Sequence, residues 1–306
     1  MSINKEQVSL VFKGFAMGIA DIVPGVSGGT IAFITGIYDD LLASISSVDK
    51  QFISFLLKFQ IKNALSHINS SFLIPLFIGI TFAIVSMSKV MHFFMNSYPI
   101  YTWSLFFGLI GASILFIGKQ IKNRLNPKNI IAVVAGAIVA ALIVSLIPVE
   151  TPKSNLYLFG SGMIAICAMI LPGISGSFIL LILGKYAHVT GAIKAPFASG
   201  SLPIIIFFSV GCLVGILSFS KLLNWLLKNY HNLMMCFLTG FMIGSMKKIW
   251  PWKETLESKI IRGKTYILKE TNILPDPFDQ TVIVAITLML IGFCSVLLLD
   301  KIGNKK

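Results

Sequence analysis

Charge is scarce in this chain. Asp, Glu, Lys and Arg make up 12% of its 306 residues, where a soluble domain has about 25%. That excludes an ordinary water-soluble globule. Cysteine is sparse too. Cys167, Cys212, Cys236 and Cys294 each sit in an apolar run without a CxxC partner. A disulfide framework and a thiolate metal site are therefore not expected, and buried free thiols are. Of the four histidines, 67, 92, 188 and 231, only His92 lies well inside an apolar stretch. No P-loop, haem or zinc spacing occurs, so no cofactor, metal or intrinsic ATPase is expected. The opening residues lack a charged start, compact apolar core and small-residue site, so no cleavable signal peptide is expected.

What the chain has in abundance is apolar sequence: 56% of residues, with a mean hydropathy of +0.86. Runs long enough to cross ~30 Å of hydrocarbon recur. Six full spans are expected at roughly 72–95, 99–118, 130–149, 202–227, 233–249 and 281–299. The net charge of +13 comes from basic residues in loops and at span ends. It reads as positive-inside bias and attraction to anionic lipid rather than nucleic-acid binding. The basic loop 119–129 and the Lys-rich tail favour cytoplasmic N- and C-termini.

Two further apolar regions, 8–46 and 156–194, are broken in the middle by "IVPGVSGGTIAF" and "ILPGISGSFILL". Each arm of about 16 residues gives ~24 Å of helix, short for a crossing and suited to a re-entrant hairpin. Residues 50–69 mix apolar residues with Lys58, Lys62 and His67 and read as an interfacial helix. The stretch 250–280 reads as a polar loop. Asp39, Asp40 and Lys185 are expected at the interface, Lys185 by snorkelling.

The breaks belong to an internal repeat. At an offset of 148, residues 14–38 match 162–186 at eleven of 25 positions, among them Pro24/Pro172, Ser27/Ser175, Gly28/Gly176, Gly36/Gly184 and Tyr38/Tyr186. At an offset of 132 a second block matches Gly79/Gly211, Ser86/Ser218, Ser88/Ser220, Lys89/Lys221, Tyr98/Tyr230 and Gly108/Gly240. The fold class expected is an all-α polytopic membrane protein, one membrane transporter domain over 1–306. Repeat one covers about 8–149 and repeat two about 156–299, each a broken hairpin plus three transmembrane helices. Three is odd, so the repeats should be inverted, an arrangement that places transporter sites at midplane.

The break has a chemical reading. Pro24 ends a helical ladder, Gly25, Gly28 and Gly29 let a ligand approach the backbone, and Ser27 adds a hydroxyl. A helix resuming near Thr30 presents unpaired N–H groups suited to a small anion, above all phosphate. Pro172, Gly173, Ser175, Gly176 and Ser177 would supply the second face. Against this, a Pro/Gly kink can simply let helices pack closely. Lys89 and Lys221, with Ser86, Ser88, Ser218 and Ser220, either snorkel or guard the mouths of an anion path. Asp21, three residues before Pro24 and opposite Met169 in the repeat, either couples transport to an ion or pairs structurally. A small soluble anion is an alternative cargo. "GVSGG" also admits a rhomboid-like intramembrane serine hydrolase using Ser27, though a base is wanting.

The pair 18–42 and 169–186 resembles the bacterial and archaeal polyprenyl-phosphate transporter, or PopT-like, family, over about residues 10–300. The resemblance implies a translocase in the bacterial cytoplasmic membrane that returns undecaprenyl phosphate for cell-envelope synthesis. Its motif residues, Pro24, Gly25, Ser27, Gly28, Gly29, Pro172, Gly173, Ser175 and Gly176, would line the head-group site. Ser177 stands where the first copy has Gly29. Oligomeric state is left open, a homo-oligomer included.

Overall fold

The computed structural model describes residues 5–23, 26–149, 151–152, 154–261, 264–275 and 279–303. Pro24 and Gly25 lie outside the described residues. The order of elements is α1 (Lys5–Ile22), α2 (Gly28–Ile34), α3 (Tyr38–Ser46), α4 (Lys50–Leu57), α5 (Ile61–His67), α6 (Ser70–Ser97), α7 (Pro99–Gln120) and α8 (Pro127–Val144). Then follow α9 (Asn155–Ile170), α10 (Gly176–Ile182), α11 (Tyr186–Lys194), α12 (Ser201–Ile249), β1 (Lys253–Ile261), β2 (Lys264–Asn272) and α13 (Gln280–Gly303).

Among the described residues five helices, α6, α7, α8, α12 and α13, are long and apolar enough to cross a membrane. At 49 residues α12 would be about 73 Å long, more than two bilayer cores. It breaks at Tyr230, whose φ −133° and ψ 40° are non-helical. The repeat mate Tyr98 takes φ −137° and ψ 53°. Pro99 follows Tyr98 and ends the hydrogen-bond ladder, so α6 and α7 separate. His231 follows Tyr230 and keeps its N–H, so the second break is a kink. The protein is thus a polytopic α-helical membrane protein.

The duplication is legible in packing as well as in letters. A Cβ at Gly14 would strike the Leu76 carbonyl, and one at Gly162 the Phe208 carbonyl. Gly79 meets the Val11 carbonyl as Gly211 meets that of Phe159. The α1–α6 crossing is therefore repeated by α9–α12. Both form at backbone-to-backbone distance that only glycine allows. Gly136 on α8 packs against Phe237 and Phe241 of α12, and Gly292 on α13 against Leu105 and Leu109 of α7. Here α8, the last span of the first half, packs on a span of the second, and α13, the last span of the second half, packs on a span of the first.

The chain divides into two compact units, residues 1–91 with 150–234 and residues 92–149 with 235–306. Each draws on both repeats. The first holds both broken hairpins. The second contains an antiparallel β1–β2 hairpin where the sequence reads as a polar loop. Its Trp252 is buried with Val282 and Ala285 of α13.

Other local expectations are revised. The second arm of each hairpin is two short helices, and α10 meets α11 at 118°. The corner is Gly36 (φ 68°) in one copy and Gly184 (φ 63°) in the other. In each, an amide reaches back five residues, Ile37 to Ala32 and Lys185 to Leu180, closing a Schellman-type cap. Residues 50–69 form α4 and α5, split at Phe59, which has φ 55°. Lys185 does not snorkel. It is 1% exposed, and its Nζ donates to the Thr151 and Pro152 carbonyls at 2.7 Å each. Cys294 is exposed and Cys167 and Cys212 half-buried, so only Cys236 is the buried free thiol expected.

Candidate functional site

The two hairpin elbows, where α1 gives way to α2 and α9 to α10, lie against each other within the first unit. Ser27 is the N-cap of α2: its backbone is extended and its Oγ accepts from the Gly29 amide at 3.0 Å. The same hydroxyl donates to the Met169 carbonyl at 2.6 Å. In return the Gly173 amide donates to Thr30 Oγ1 at 2.9 Å. Gly173 has φ 101°, a conformation that Cβ-bearing residues avoid. Gly29 must be glycine, because a Cβ there would run into the Met169 and Ile170 carbonyls. Residues far apart in sequence thus share one clasp.

The N–H groups at the start of α2 are not bare. Asp21 Oδ1 accepts from the Gly28 amide at 2.7 Å. A Cβ on Gly28 would come within 2.6 Å of that carboxylate. The Gly29 amide is taken by Ser27 Oγ, and the Thr30 amide by the Ser27 carbonyl at 2.9 Å. The physical reason is plain: a buried helix start at low dielectric demands an acceptor, and a carboxylate at the end of the preceding helix supplies it. Ser27 and Thr30 are both fully buried.

The second elbow is built the same way but filled differently. Ser175 caps α10, its Oγ accepting from the Phe178 amide at 3.3 Å and lying 3.1 Å from Ser177 Oγ. Met169 stands where Asp21 would be and has no carboxylate to offer this helix start. The amides of Gly176 and Ser177 have no hydrogen-bond acceptor among the described residues. Ser177 is half-buried; Pro172, Gly173, Ser175 and Gly176 are buried.

Of the remaining sequence-derived residues, Lys89 and Lys221 are exposed on α6 and α12. No described carboxylate forms an ion pair with either. Ser86 Oγ and Ser218 Oγ each donate to the carbonyl four residues back, Phe82 and Val214, at 2.6 Å. Ser220 is buried on the Leu217 carbonyl, and Ser88 is exposed. None of the hydrogen bonds of Ser27 involves a histidine. Sequence reasoning misses Thr30 as an acceptor and Asp21 as a cap; an acidic residue seven before a glycine-started helix is the available signal.

Comparison with known proteins places the chain among transporters by sequence. A family model described as undecaprenyl phosphate translocase-like matches residues 17–265. The chain is similar to a polyprenyl-phosphate transporter of Vibrio cholerae serotype O1, 43% identical over 305 residues and covering 97% of each chain. It is also similar to a polyprenyl-phosphate transporter of Staphylococcus aureus, 35% identical over 257 residues, covering 79% of this chain and 85% of the other. No solved structure matches it.

Proposed function

The chain belongs to the undecaprenyl phosphate translocase-like family, and from that premise we propose that it moves a polyprenyl phosphate across the bacterial plasma membrane. Undecaprenyl phosphate, the carrier lipid of cell-envelope synthesis, is the substrate, and the phosphate head is received at the clasped elbows. One observation carries this reading: the helix starts are built alike, yet Asp21 caps the first and Met169 stands at its place in the second. Gly28 has Asp21 as its anion. Gly176 and Ser177 offer amides with no acceptor among the described residues, flanked by the hydroxyls of Ser175 and Ser177. A phosphate monoester supplies the missing acceptor oxygens.

In this account Ser175, Gly176 and Ser177, carried by the turn Pro172–Gly173, bind the head. Ser27, Gly28, Gly29 and Thr30 form the opposing wall. The wall becomes a second phosphate site only when Asp21 lets go of Gly28, and so Asp21 is the candidate for ion coupling. Lys89 and Lys221 draw the head in from the two leaflets, with Ser86, Ser88, Ser218 and Ser220 alongside. The repeats are inverted by the parity of three spans per half, the termini are cytoplasmic, and access to the elbows alternates between leaflets without ATP hydrolysis.

The test is reconstitution into liposomes carrying a short-chain polyprenyl phosphate, with its exposure followed by an added phosphatase. Exposure faster than in protein-free liposomes is expected. Rates equal to those of protein-free liposomes would reject the function. Transport of inorganic phosphate without competition from the lipid would reassign the cargo to a soluble anion.

A further inference from the structure

An apolar groove of about 710 Å³ runs along one face of α6, walled at one end by Leu65 and Ile68 of the α5 region. Its floor is a helical stripe of Ile74, Ile78, Thr81 and Val85. From Ser70 to Val85 that face is ~22 Å long, most of the thickness of the hydrocarbon core. Residues four apart on a helix share a face, so the next position on this stripe is Lys89, with Ser88 beside it. Lys89 is exposed, about 12 Å inside the end of α6 at Ser97. No described carboxylate pairs with it.

The groove is not part of the duplication. Residues 195–200 link α11 to α12, whereas residues 47–69 link α3 to α6 and carry α4 and α5. The matching stripe on α12, Ile206, Val210, Leu213 and Leu217, is similarly apolar but follows the shorter link, without helices equivalent to α4 and α5. A symmetric protein has thus added a wall to one of two equivalent helices.

We propose that this groove holds the isoprenoid tail of the substrate while Lys89 holds its phosphate, an inference that rests on the translocase reading above. A single-tailed phosphate monoester puts its charge and its chain in line, which is the layout of Lys89 and the stripe. A diacyl phospholipid carries two chains. Bilayer lipid is as apolar as the groove, so selectivity comes from packing against the α5 wall and from the cation, not from hydrophobic transfer. With cytoplasmic termini, Lys89 lies toward the outer leaflet, where a returning carrier lipid is collected.

The full chain in phosphatidylethanolamine–phosphatidylglycerol vesicles, given a polyprenyl phosphate with a diazirine in its tail, tests this. After irradiation, adducts on residues 70–85 should exceed those on residues 202–217 by about tenfold. Undecaprenyl phosphate should chase them and added phosphatidylglycerol should not. Thr81→Trp should remove the excess, and Leu213→Trp, its repeat mate outside the groove, should keep it. Equal labelling of the two stripes, or a chase by phosphatidylglycerol, would overturn the inference. Translocation in the same vesicles separates the two claims. Translocation with uniform labelling rejects the groove alone, while no translocation with a labelled groove rejects the transport reading and leaves the tail site standing.

Discussion

The Ser27 hydroxyl donates to the Met169 carbonyl at 2.6 Å, across 142 residues of chain, and that bond joins the two elbows of a duplicated hairpin. Met169 is the repeat mate of Asp21. The residue that in one copy caps the next helix, α2, offers, in the other, a backbone oxygen to the opposite elbow. At position 21/169 the two elbows therefore differ in what they offer.

Replacing Ser27 with Ala removes two hydrogen bonds and leaves the Gly29 amide and Met169 carbonyl unpaired in a dry site. A loss of ~1–3 kcal/mol follows. Thermal unfolding in detergent should show it as a lowered Tm, and an unchanged Tm would mean that the bond contributes nothing.

Gly29→Ala should do more than a methyl usually does. Its Cβ faces the Met169 and Ile170 carbonyls, which belong to a helix and cannot swing away. Overpacking of this kind costs ~1–3 kcal/mol and would part the elbows. Translocation should fall with it, whereas Ser177→Gly, the reverse exchange in the other copy, should leave stability nearly unchanged and weaken head-group binding.

Asp21→Asn keeps an oxygen for the Gly28 amide but removes the charge. If Asp21 couples transport to protons, the variant still translocates and no longer responds to an imposed pH gradient. A response equal to that of the wild type removes Asp21 from coupling and leaves it a helix cap.

The two glycine crossings, α8 on α12 and α13 on α7, predict twin effects. Gly136→Ala and Gly292→Ala each press a methyl onto a backbone carbonyl of the partner span, and each should cost ~1–3 kcal/mol. Gly160 on α9 is the control, since no described atom lies within 4 Å of the place its Cβ would occupy. Gly160→Ala should be neutral or stabilising by ~0.5–1 kcal/mol. Unequal twins would argue against equivalent crossings.

The β-hairpin should tighten as pH rises. Burial, aided by the neighbouring Lys248 charge and opposed by Glu270, lowers the Lys253 amine from 10.5 to about 8. Between about pH 8 and 10.5 the unfolded chain therefore holds more protons than the folded one, so folded stability rises across that window. Glu270 behaves oppositely at acid pH. Burial raises its carboxyl, but Lys248 at 3.2 Å and Lys253 at 3.6 Å outweigh this and hold it below its ordinary range. Its contribution is present above pH 4.5 and is lost as pH falls below that. Hydrogen exchange of β1 and β2 should slow from about pH 8 to 10 after correction for intrinsic rates, and Lys253→Met should remove the trend.

Much of this architecture is legible in the sequence because membranes enforce simple rules. Apolar length locates the spans, and shared Pro, Gly, Ser and Lys locate the repeat. Even the Tyr98/Tyr230 pair marks a backbone break in both copies. What escapes depends on partners that composition does not reveal. Lys185 reads as a snorkelling cation because the carbonyls that hold it, Thr151 and Pro152, lie over thirty residues away. The helix start at Gly28 reads as empty because its cap comes from before the break. The β-hairpin reads as a loop because its charged residues mask a weak alternation. Gly36 and Gly184 are evident as repeat mates, but that both turn a corner follows from their positive φ, which a glycine permits without requiring.

The most direct test of the central claim is a structure determined with a polyprenyl phosphate present. The account predicts phosphate density within hydrogen-bonding distance of the Gly176 and Ser177 amides and the Ser175 hydroxyl. Phosphate density that lies elsewhere, with those amides still lacking an acceptor, would contradict it.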